Sequence, residues 1–159
     1  MEQSGFAKWL KIITIGIGML GLLFYFVLLP EYGTGLVESY PEFSGFYWPW
    51  LLFAWVTSVP CYLCLLEFWK ICCEIGRDNS FSEKNARSLK KISQFLILDS
   101  AIVFVGNVIL FAMEMNHPGV VLLMFFVVIA GVAVSVVAAA LSHLVLKASV
   151  LEEDNSLTI

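Results

Sequence analysis

Asp99 is the residue best placed to do chemistry, because it lies within an apolar stretch where a carboxylate has to be paired, hydrated or protonated. A second ionisable group, His143, lies on another apolar stretch one helical turn before Lys147. Rises of about 1.5 Å per residue from the flanking charges put both groups in the half of a membrane nearer the cytoplasm. Together they form a candidate intramembrane polar pair, either a proton- or cation-linked site or a hydrogen-bonded contact that locks two helices. Gly106 and Asn107 extend the same stretch as a polar path or a packing contact, and packing is the simpler use of the glycine.

Other reactive groups point less sharply. Cys61 and Cys64 have the C-x-x-C spacing of a redox pair. They fall past the midplane toward the reducing side, however, and a second pair on the outer face is missing, so they read as small apolar fillers. The adjacent Cys72 and Cys73 lack further ligands at metal spacing and stand where S-acylation is feasible. Glu67, Lys70 and Glu74 recur at i, i+3 and i+7, which mutual ion pairing explains. Glu31, Glu38 and Glu42 fall in a loop rich in glycine and aromatics, suited to a cation, a basic peptide or plain solvation. His117 beside Glu114 offers one imidazole toward a metal. No phosphate-cradling glycine loop, nucleophile elbow or zinc-protease pair is present, and no cofactor or metal is expected.

The elements that must position these groups follow from composition. The chain has 159 residues, 60% hydrophobic and 14% charged, with mean hydropathy +0.88. Soluble domains are about 25% charged, so the chain reads as an integral membrane protein. A net charge of -4 excludes direct nucleic-acid binding as a main role. Four stretches of about 20 or more apolar residues, near 9–29, 47–71, 92–113 and 120–146, predict an all-α, polytopic four-helix bundle forming one domain over 1–159. Strands are excluded because 120–134 is apolar throughout, without a two-residue alternation.

Lys and Arg set the direction of insertion. Lys8 and Lys11 flank the start of the first stretch, six from Lys70 to Lys91 flank the connection of the second and third, and Lys147 follows the fourth. The 30–46 and 114–119 connections carry none and hold acidic residues instead. Both termini are therefore expected in the cytoplasm of a cell-membrane protein. Tyr40, Phe43, Phe46, Tyr47, Trp48 and Trp50 suit an outer aromatic belt, and Trp9 and Trp69 an inner one. Thr14, Gly18, Gly21 and Tyr25 form one small-residue stripe, and Gly131, Ser135 and Ala139 another. Such seams join helices of one chain or of two copies, and monomer and homo-oligomer both stay open.

The 76–91 connection combines a turn with a helix start. Ser82 is positioned to cap the amide of Asn85, Ser80 with Glu83 offers a rival capping box, and Phe81 is expected to staple on Ala86. Lys84, Arg87 and Lys91 then share a side at the level of lipid headgroups, for lipid or partner docking. Gly76, Phe81, Ser82, Asn85, Leu89 and Ile92, between the second and third spans, resemble the signature of small four-helix bacterial membrane proteins catalogued as a domain of unknown function. Members often carry proline where Ser80 stands. They are commonly encoded beside a small helix-turn-helix regulator of the Cro type, which implies a cytoplasmic regulator as partner. The expected function is a non-enzymatic regulatory or interaction protein engaging that partner through 76–91. The alternative is a small transporter, channel or accessory subunit working through Asp99 and His143.

Overall fold

The computed structural model describes residues 3–116 and 118–157, and the side chains of residues 4–116 and 118–154. Among these residues every element is helical. α1 (Gln3–Leu23) runs through a π-helical turn (Phe24–Leu28) into α2 (Leu29–Ser39), and a 3-10 turn (Pro41–Phe46) leads into α3 (Tyr47–Ile75). α4 (Glu83–Ala112) and α5 (Pro118–Leu157) complete the chain. Four stretches are long and apolar enough to cross a bilayer, namely Ser4–Ser39, Pro41–Ile75, Glu83–Ala112 and Pro118–Asp154.

The interior is polar and the exterior apolar. Buried side chains include Thr14, Thr57, Ser58, Ser88, Ser100, Asn107 and Ser135, while Trp9, Leu20, Leu66, Phe126 and Val136 are each more than half exposed. Water would not tolerate that arrangement, but hydrocarbon leaves apolar side chains no reason to go inside and drives hydrogen-bonding groups together.

Each span packs antiparallel on its neighbour in the chain: α1 on α3, α3 on α4, and α4 on α5. Buried positions make up 28% and 22% of the apolar windows of the second and third spans against 6% in the first and fourth, so α3 and α4 lie inside the row. Small residues set each interface. Tyr62 donates its hydroxyl to the Gly18 carbonyl at 2.9 Å, and a Cβ at Gly21 would stand 2.8 Å from the same hydroxyl. The Phe53 ring occupies the space a Cβ at Gly106 would need, which makes that glycine a packing contact. Ser135 donates to the Ser93 carbonyl at 2.8 Å and Ser142 to that of Ala86 at 2.7 Å. The α5 seam therefore runs through Gly131, Ser135, Ala138 and Ser142. Ala139, expected in that stripe, is exposed because the register steps by four, three and four.

The 30–46 segment differs from the loop expected of it and is helical almost throughout. Pro30 has no N–H and its ring crowds the carbonyl four residues earlier, which ordinarily ends a helix. Here a single π turn absorbs the conflict: the Leu29 N–H bonds to the Phe24 carbonyl, one residue further back than in an α-helix. The next bond in that pattern would join Tyr25 O to the N–H that Pro30 lacks. The Trp55 indole N–H of α3 donates to Tyr25 O instead, at 3.0 Å. The helix then continues, with Gly33 buried beneath the Tyr47 ring.

Candidate functional site

Ten of the charged side chains between Glu67 and Lys91 gather where α3 ends and α4 begins, at the basic end of the molecule. Glu67 is buried there on α3 and accepts from Lys70 at 2.7 Å, Ser88 at 2.9 Å and Lys91 at 3.4 Å. Two turns further, Glu74 accepts from Arg77 at 3.1 Å and from the Asn79 amide at 2.8 Å. The expected pairing of Glu67 with Lys70 forms, whereas Glu74 turns to the connection. Lys70, Lys84, Arg87 and Lys91 line a cavity of about 290 Å³ over the two carboxylates, with Asn85 and Ser88 in its wall.

The connection itself is tied down from both sides. Asn85 is buried and donates to the carbonyls of Asn79 at 3.2 Å and Ser80 at 2.9 Å. Asp78 takes a left-handed backbone conformation (φ 61°) that closes the turn. Of the two candidate caps, Ser82 is used: its hydroxyl accepts the Asn85 N–H at 3.3 Å. Ser82→Ala is expected to cost about 1 kcal/mol, read as a lower midpoint of thermal unfolding by circular dichroism in mild detergent. Phe81 makes no staple; it stands 57% exposed, while Ala86 is covered by α5 through the Ser142 bond.

At the opposite end, Glu31, Glu38 and Glu42 are all exposed along α2 and the 3-10 turn. The helical path spreads them instead of gathering them in a loop. Glu114 has φ 59° and closes the end of α4, with Met115 N–H on the Leu110 carbonyl. His117 lies outside the described residues.

Midway along the row, Asp99 faces α3, and Cys61 donates its thiol to Asp99 Oδ2 at 3.6 Å. Tyr25 and Thr57 adjoin that contact. The structure does not bring Asp99 and His143 together. Ser142 lies level with Ala86, so neighbouring His143 is thirteen residues of α4 away from Asp99, about 20 Å at 1.5 Å per residue, and it is exposed. Asp99 lies level instead with Gly131, which packs against Ser100. Cys64 donates to the Ile92 carbonyl at 3.7 Å, so both C-x-x-C thiols join α3 to α4. Cys72 is fully buried, which leaves it no access for acylation, and Cys73 is half-buried. Cys61 as partner of Asp99 was hidden in the sequence, because a cysteine in an apolar run looks like a filler.

Comparison with known proteins yields a close-to-full-length likeness without an assigned activity. The chain is 24% identical over 152 residues, 94% of each chain, to the uncharacterized membrane protein YoaS of Bacillus subtilis (strain 168). No solved structure matches. Residues 32–159, which hold the pinned connection, the basic cavity and Asp99, match a protein family of unknown function, and the chain therefore belongs to the DUF2975 family.

Proposed function

We propose that this membrane protein is a non-enzymatic docking or regulatory component that holds a cytoplasmic protein through its 76–91 connection. The supporting observation is Phe81, a large exposed ring on a backbone fixed by Glu74, Asn79, Ser82 and Asn85. A rigid aromatic anchor loses little conformational freedom on binding, and such residues dominate interface energies. Lys84 and Arg87, one and two turns along, supply a basic rim that steers an acidic partner. The partner is accordingly expected to offer an apolar pocket edged with carboxylates. The family resemblance supplies one candidate, a small helix-turn-helix regulator, whose DNA-binding face would stay separate from this contact. In this reading the basic end and both termini face the cytoplasm, which the distribution of cations supports.

The test is co-purification from mild detergent of a small helix-turn-helix regulator of the Cro type, comparing the wild type with Phe81→Ala and with the pair Lys84→Glu, Arg87→Glu. Lys91 is left in place because it also holds Glu67. Recovery is expected to fall at least about tenfold in both variants, the loss of one interface hot spot. Unchanged recovery in both, with folding intact by circular dichroism, would sink the docking role.

A further inference from the structure

A second site lies far from the connection and owes nothing to the docking role. Beside the tight contact of Gly131 with Ser100, α4 and α5 leave an open cavity of about 320 Å³ lined by Leu96 and Val103 on one side and Val127 and Val134 on the other. Its walls are apolar apart from two neighbouring polar residues, Asp99 and Ser100. Val127 and Val134 are about half exposed, so the cavity opens sideways at membrane depth. Ligand pockets share this pattern, an apolar lining with a few convergent polar groups.

Asp99 is incompletely partnered. Its Oδ2 receives only the weak thiol donor of Cys61, and its Oδ1 is buried with no hydrogen-bond partner among the described residues. Buried polar atoms without a partner are uncommon enough to require one from elsewhere. A group that completes the ionised form of this carboxylate in hydrocarbon donates a hydrogen bond and brings a positive charge. A metal ion fits poorly, since among the described residues no cluster of three His, Cys, Asp or Glu could hold one. An organic ammonium fits on both counts. One N–H would bond the Asp99 carboxylate, whose Oδ2 meets Cys61 of α3, once the soft χ2 torsion turns an oxygen toward the cavity. A second N–H would bond the Ser100 hydroxyl, and the hydrocarbon body would lie against Val103, Val128 and Val134, which line the cavity. We propose that the α4–α5 cavity binds a hydrophobic primary or secondary ammonium compound that enters from the lipid side, with Asp99 as its counter-ion.

The probe is 1-adamantylammonium, a compact apolar cage with one charged nitrogen, and the control is neutral 1-adamantanol of the same shape. Purified full-length protein in mild detergent is titrated with each, and binding is read from the concentration dependence of Tm. The wild type is expected to show a saturable rise with the ammonium and none with the alcohol. Asp99→Asn is expected to weaken the apparent Kd at least about tenfold, from loss of the charge-assisted bond. Ala130→Phe keeps the carboxylate but fills the cavity, and is expected to abolish the shift; it decides the matter if Asp99→Asn does not fold. Equal shifts with the alcohol, an unchanged Kd in Asp99→Asn, undiminished binding in Ala130→Phe, or no saturable shift in the wild type would each overturn the proposal.

Discussion

Gly106→Val is expected to lower stability by about 3 kcal/mol, the upper part of the range for overpacking a fitted interface. The Phe53 ring lies edge-on where the first added carbon would be, and a branched side chain adds two more atoms to the same space. Either α3 and α4 separate or the ring leaves its position. Separation would also loosen the Cys61 to Asp99 and Cys64 to Ile92 contacts along the same interface. For a chain of this length the loss corresponds to roughly 6–12 °C in Tm. The companion variant Phe53→Ala removes the obstructing ring, so Gly106→Val made in that background is expected to cost far less than in the wild type. A Gly106→Val protein melting at the wild-type temperature would show that the ring moves aside freely.

Trp55→Phe comes next in size. It keeps an aromatic ring beside Phe26, whose ring centroid is 5.6 Å from that of Trp55, and removes the indole N–H together with the rest of the five-membered ring. Tyr25 O then has no donor, because the residue that would serve it in the helix is Pro30. A carbonyl left unsatisfied costs about 1–3 kcal/mol, and hydrocarbon offers it no water in exchange. Pro30→Ala restores a backbone N–H at the right place. Trp55→Phe is therefore expected to be clearly less destabilising in the Pro30→Ala background than in the wild type, the lost ring volume costing the same in both. Thermal unfolding of the four proteins measures the coupling, and additive losses would contradict the account of the π turn.

The four spans were legible because membrane thickness fixes helix length more tightly than any pattern in a soluble fold does. The Ser82 cap was legible too, as a local bond between residues three apart. Pro30 misled, since proline punctuates helices and nothing in the sequence before it announces a π turn that carries the helix onward. Asp99 and His143 were assigned to one level by counting inward from charges at the helix ends. α5 extends well past its apolar stretch, and its register on α4 is set by serines at 93, 135 and 142 that such counting ignores. Phe81 misled in a third way. Its spacing suits a staple, but α5 already covers Ala86 and leaves the ring outside. Local capping chemistry can be read from neighbours in sequence, whereas cover supplied by a residue 56 positions away cannot.

The indole of Trp55 also places a delay in biosynthesis. Ribosomes add about 5–20 residues per second, and thirty residues separate Tyr25 from its donor. For roughly 2–6 s the first span therefore waits beside the insertion machinery with an unanswered carbonyl, until the nascent second span delivers the group that completes it.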